Sequence, residues 1–168
     1  MANTTFSGPI RSESTIKTIS KDATSGAITE VTTLGGAPVS LSDGDVTLTN
    51  ATHSGRVLLV PDGGQDNTYT LPAPIAGSMF RFVYAGGAAD ATDAIIITPG
   101  NTNFYIGGIT HLDTNADNVT VFSNGSSNSS VQLNVPQAFD ITIMGLNTTN
   151  YQIFGTVTST TVPAFADQ

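Results

Sequence analysis

From Val39 to Ser159 the chain keeps changing sides. Apolar residues recur at every second position in short runs, and each run ends in glycine, proline, asparagine or aspartate. Successive side chains of a strand point to opposite faces of a sheet, so this pattern suits strands and no other regular element. "VSLSDGDVTLT" puts Val39, Leu41, Val46 and Leu48 on one side of two short strands, with Asp43-Gly44-Asp45 as a hairpin turn between them. "RVLLV" (56–60) reads as a strand covered on both faces. "TYTL", "AIIIT", "VTVFS", "VQLNV", "FDITIM" and "YQIFGTVT" continue the series, and "PDGGQDN", "AGGAADATD", "PGNTN", "NGSSNSS" and "GLNTTN" punctuate it. No segment carries an apolar stripe of helical period and length. The expected fold is all-β, a single antiparallel sandwich or jelly-roll-like domain of about eight to ten short strands, with an extended N-terminal arm.

One stretch shows the local logic. In "TLPAPIAGSMFRFVY" (70–84), Pro72 and Pro74 have no N–H for a ladder, so the strand ends there. Gly77 supplies backbone freedom for the reversal. After it, Phe80, Phe82 and Tyr84 share one face, Met79, Arg81 and Val83 the other. The aromatic face is the core face on packing grounds; an exposed aromatic platform for sugars is the sharper alternative.

The first thirty-five residues lack this regularity. Apolar residues are widely spaced among Ser and Thr, and nothing closes a hairpin with certainty. Residues 1–35 read as an arm that orders against a neighbour, and residues 36–168 as the sandwich domain, with Gly35-Gly36 at the boundary. Charge is unevenly placed as well. Arg11, Lys17 and Lys21 against Glu13 give residues 1–21 a net +2, whereas Arg56 and Arg81 against twelve acids give the rest −10. Phe6, Ile10, Ile16 and Ile19 are too few to form a core within the arm, so they are expected to bury against a partner, with Arg11, Lys17 and Lys21 steering toward an acidic surface.

Composition removes several classes of function. There is no cysteine, hence no disulfide, thiolate nucleophile or cysteine-bound zinc. Two histidines, His53 and His111, cannot make a three-histidine metal site; both follow threonine in loop-like sequence and read as surface or hydrogen-bonded residues. An acidic body argues against nucleic acid as a partner. The start "MANTTFSGPI" lacks the features of a signal peptide, and no apolar run is long enough to cross a bilayer as a helix, so no membrane partner is expected. A protein of this kind acting outside a cell is expected to leave by another route, such as lysis of a host.

Catalytic equipment is sparse. No G-x-S-x-G elbow occurs. The acid pairs Asp43/Asp45 and Asp90/Asp93 sit in turns, where aspartate commonly bonds the local backbone, although spacing alone leaves a carboxylate-paired glycosidase open. In "DTNADN", Asp113, Asn115 and Asp117 match the first spacings of a calcium loop, but Asn118 replaces the required glycine and Asn124 the bidentate glutamate. The expectation is a protein that is not an enzyme and carries neither metal nor cofactor.

Two segments resemble a known class. "MANTTFSGPIRSE", through Phe6, Ser7, Gly8 and Pro9, resembles the N-termini of virion structural proteins of tailed phages, particularly those of marine bacteria. "GRVLLV…YTLPAPIAGSMFRFV…AIIITPG", through Thr70 to Gly77, Phe80 and Phe82, resembles a module of phage capsid decoration (cement) proteins and other virion surface proteins. Such turns also occur in tail fibres. The resemblance implies a non-enzymatic head protein, often a homotrimer, clamped on the major capsid protein by extended termini, made in the host cytoplasm and located on the capsid surface. On that reading Phe6, Ile10, Arg11, Ile16, Lys17, Ile19 and Lys21 are the capsid-binding residues. A tail-fibre or receptor-binding module is the alternative from a second class, and a polysaccharide depolymerase domain the alternative from a third.

Overall fold

Alternation at this density commits the backbone to sheets, and the computed structural model of the chain carries it through. It describes residues 18–22, 24–31, 37–87, 91–115 and 118–168. The chain divides into two units, Met1–Gly36 and Ala37–Gln168.

In the first unit, β1 (Thr18–Lys21) pairs antiparallel with β2 (Ile28–Val31). This hairpin lies within the segment expected to be an extended arm. Its turn has a local cause: Asp22 Oδ1 accepts the Thr24 N–H at 2.9 Å, the Ser25 N–H at 2.6 Å and the Ser25 hydroxyl at 2.9 Å. Those bonds hold the Asp22 carboxyl below its usual range, the Ser25 backbone contributing most. Phe6, Ile10, Arg11, Ile16 and Lys17 lie outside the described residues. Ile19 and Lys21 occupy β1, opposite Glu30 and Ile28.

The second unit is a sandwich of two sheets. The strands are β3 (Val39–Ser40), β4 (Val46–Thr47), β5 (Arg56–Val60), β6 (Asn67–Thr70), β7 (Met79–Tyr84), β8 (Ala94–Ile97), β9 (Phe104–Asp113), β10 (Val119–Phe122), β11 (Ser130–Leu133), β12 (Ala138–Gly145), β13 (Asn150–Ser159) and β14 (Ala164–Ala166), with one short helix, α1 (Asn50–His53). The seven-stranded large sheet runs β10-β9-β13-β12-β7-β5-β3, and the five-stranded small sheet runs β14-β11-β8-β6-β4.

The sheets are mixed, not antiparallel. From β3 to β8 each strand lies in the opposite sheet from its predecessor, so β3, β5 and β7 pair in parallel on one side while β4, β6 and β8 pair in parallel on the other. The chain winds as a flattened coil before β9–β14 close the sandwich, and β9 pairs in parallel with β13. The expected hairpin at Asp43-Gly44-Asp45 is therefore a crossing between sheets.

Aspartates explain the winding. Each crossing on one side is bonded to the next crossing rather than to itself. Asp43 accepts from Gly64 N–H (3.0 Å) and Asn67 Nδ2 (3.1 Å), and Asp45 accepts from Thr68 N–H (2.8 Å). Asp66 then accepts from Asp93 N–H (2.9 Å), and Asp93 from Gln132 Nε2 (2.6 Å) and Val135 N–H (2.9 Å). The turn aspartates thus act at long range, contrary to the local role expected from sequence.

The core lies between the sheets. Phe80, Phe82, Leu58, Ile109, Ile141 and Ile153 face inward from the large sheet, Tyr69, Ile96, Val131 and Leu133 from the small one, all buried. Tyr69 meets Phe82 across the interface with ring centroids 6.1 Å apart, and Phe80 meets Tyr151 edge-on at 6.4 Å. Phe80 and Phe82 are core, so the sugar-platform alternative for that face is closed. Gly77 has φ +84, a conformation that favours glycine, and its N–H donates to Gly145 O at 2.9 Å, which docks the proline turn on the end of β12.

Candidate functional site: the outer face of the large sheet

Register decides which side chains share the solvent side of the large sheet. One row across the strands reads Phe122, Gly108, Phe154, Thr142, Arg81. The next rows contribute Met79, Met144 and Gln152 on one side, and Asp140, Thr156 and Thr110 on the other. Residues one step along each strand face the core, so these point outward.

This face carries exposed apolar side chains. Phe122 is 68% exposed, Phe154 48%, Met79 42%, Ile106 38% and Leu112 38%. Phe122 and Phe154 flank Gly108. A Cβ on Gly108 would stand 2.8 Å from Phe122 Cδ1, so the glycine leaves the space the ring occupies. Beside Phe154 the face dips into a shallow groove of about 520 Å³, bounded by Met79, Arg81, Asp140, Thr142 and Thr156.

A cross-strand ion pair forms one wall. Arg81 Nε donates to Asp140 Oδ1 at 2.8 Å, and Nη2 to Oδ2 at 2.5 Å. The guanidinium's hydrogen bonds hold the Asp140 carboxyl below its usual range and raise Arg81 in turn. Both side chains are nearly half exposed, so the pair contributes little to stability. Its fixed bidentate geometry instead sets the shape of the groove. Arg56, the other cation of this unit, is turned to the backbone carbonyls of Ala37 and Thr52.

The remaining candidates from sequence lie elsewhere. Asp43 and Asp45 are spent on the crossings described above, and Asp90 lies outside the described residues. In "DTNADN", Asp113 Oδ1 accepts the Asn115 N–H at 2.7 Å and Asn118 Oδ1 accepts the Asp113 N–H at 3.0 Å, while Asp117 is outside the described residues. Among the described residues no group of three or more His, Asp or Glu side chains is placed to hold a metal ion. His53 ends α1, where its Nδ1 accepts the Thr49 N–H at 2.9 Å. His111 departs from its loop assignment: it is a buried residue of β9, with Nε2 3.0 Å from Ser159 Oγ and 3.2 Å from Ser159 O.

Sequence reasoning missed the outer face. Alternation marks "VTVFS" and "YQIFGTVT" as strands without separating Phe122 and Phe154 from the core residues beside them. The available signal was parity: Phe154 is out of phase with Tyr151, Ile153 and Val157, which are buried. No family model, no curated protein and no solved structure matches this chain.

Proposed function

We propose that this chain is a non-enzymatic structural protein of a tailed-phage virion, seated on the capsid surface as a decoration or cement protein. The observation that carries the reading is the exposed apolar band of the large sheet. Soluble proteins that work alone rarely leave contiguous apolar surface uncovered, and an open sheet face with two exposed phenylalanines suits another broad protein surface better than a small substrate. The resemblance of Thr70–Gly77, Phe80 and Phe82 to the virion module supplies the class of partner. Those residues form a corner and a core strand here, so they account for shape, and attachment falls to other surfaces. The outer face is one. The arm residues Phe6, Ile10, Arg11, Ile16, Lys17, Ile19 and Lys21 are the second, through burial of their apolar groups and attraction of their cations to an acidic lattice.

Purified virions decorated with an antibody against this chain and imaged by electron microscopy test the reading. Label spread over the head is the expected result. Label confined to the tail favours the fibre or receptor-binding alternative, and virions free of the chain contradict both.

A further inference from the structure

We infer that β10 is a self-pairing edge through which two copies of this chain join into a twofold dimer with one continuous sheet. An exposed edge strand is a template for another strand, and proteins that stay apart blunt it with shortness, charge or proline. The other edges of the sandwich are blunted by length: β3 and β4 have two residues each and β14 has three. In the β1–β2 hairpin the strands include Lys21 and Glu30. Only β10 among these edges offers four residues, Val-Thr-Val-Phe, with neither charge nor proline.

The ladder shows which of its groups are unused. Ser123 N–H donates to Gly107 O at 2.9 Å. Main-chain groups alternate along a strand, so those of Val119 and Val121 face β9 while those of Thr120 and Phe122 face away. No backbone partner beyond β9 meets Thr120 or Phe122 among the described residues. This pattern is self-complementary. An antiparallel copy with the twofold axis at Val121 sets Thr120 against the other copy's Phe122, and Phe122 against its Thr120. Each pair exchanges both N–H···O bonds, and the two Phe122 rings come together diagonally on the outer face.

Affinity follows from size and charge. Two four-residue strands fall well short of the roughly 1,200 Å² of a standard stable interface, so the dimer is weak and concentration-dependent. Each copy carries a net charge of −8, so added salt screens repulsion and strengthens the dimer, opposite to an interface held by ion pairs. A twofold pair also differs from the trimer that the virion resemblance implies, and mass separates them.

Sedimentation equilibrium of the full chain over a wide concentration range, at low and moderate salt, gives the first result. Mass rising from one chain toward two, and rising further with salt, is expected. A mass of one chain at millimolar concentration, or of three, overturns the proposal. Thr120→Pro removes an outward N–H and leaves the β9 ladder intact, while Phe122→Asp places charge on the edge; both should remain folded by circular dichroism and shift the midpoint of dimerisation at least tenfold. An unchanged midpoint in both overturns the proposal. Register is tested by cross-linking in a chain with no cysteine of its own. Val121→Cys sits on the twofold axis, where facing Cα atoms of a non-hydrogen-bonded pair lie about 4.5 Å apart, within disulfide reach. It should oxidise to a covalent dimer, whereas Val119→Cys, about 14 Å from its counterpart by strand rise, should not. A dimer that Val121→Cys fails to lock contradicts the β10 interface.

Discussion

Phe82 and Phe122 show how differently one residue type behaves in this fold. Phe82 is fully buried and packed against Tyr69, so Phe82→Ala is expected to cost about 3–5 kcal/mol in denaturant unfolding. Phe122 is 68% exposed, and Phe122→Ala should change stability by less than about 0.5 kcal/mol in the dilute monomer. Val135 marks strain: it is the one non-glycine residue with positive φ, +38, among the described residues, and it is β-branched. Val135→Gly should therefore stabilise the fold by about 1 kcal/mol, read as a rise in the melting temperature. Tyr105 and Tyr151 govern the alkaline limit. Burial raises both phenols above their ordinary 10.0. The unfolded chain then ionises first, so stability is full below pH 10 and falls as pH rises beyond it. Urea titrations at pH 8 and pH 11 should show that loss, and Tyr105→Phe should reduce it while costing the bond to Ile96 O at neutral pH. At this scale the sequence told which residues share a face, because parity does so in any strand. Parity does not tell which face is covered, and that is why Phe80 and Phe82 were legible as core while Phe154 was not legible as surface.

Elements were legible and their connections were not. Alternation located β5 to β8 and β10 to β13, and the proline turn at Pro72 and Pro74 ended β6; β9, whose pattern is interrupted by Gly107-Gly108, and the three-residue β14 escaped it. The hairpin expected around Asp43-Gly44-Asp45 failed because a short turn between two short strands looks alike in sequence whether it reverses within a sheet or crosses to another. The difference lies in partners more than twenty residues away: Asp43 and Asp45 bond to Gly64, Asn67 and Thr68, and Asp66 bonds to Asp93. Aspartate in these crossings is consequently a stability determinant. Asp93→Ala removes acceptors for Gln132 and Val135 and should cost about 1–3 kcal/mol by urea denaturation. Asp66→Ala removes a single acceptor in an exposed loop and should cost less. Equal, negligible losses for both would mean that the winding is held by the core alone.

At the scale of the whole molecule, an acidic sandwich exposes an apolar band on the outer face of its large sheet, and we propose attachment there. The Arg81–Asp140 pair within it should make attachment only weakly pH-dependent until the pH falls below about 4, because the pair holds Asp140 ionised down through its ordinary 3.8. Binding assays at pH 7 and pH 5 should agree closely. The most direct measurement is occupancy of virions stripped of this chain and then incubated with wild-type protein, Phe154→Asp or Val162→Asp. Val162 is 43% exposed, close to Phe154 at 48%, but lies outside the band. The outer-face account predicts that Phe154→Asp loses at least tenfold in occupancy while Val162→Asp binds as wild type, with both proteins folded. Undiminished occupancy by Phe154→Asp would contradict it.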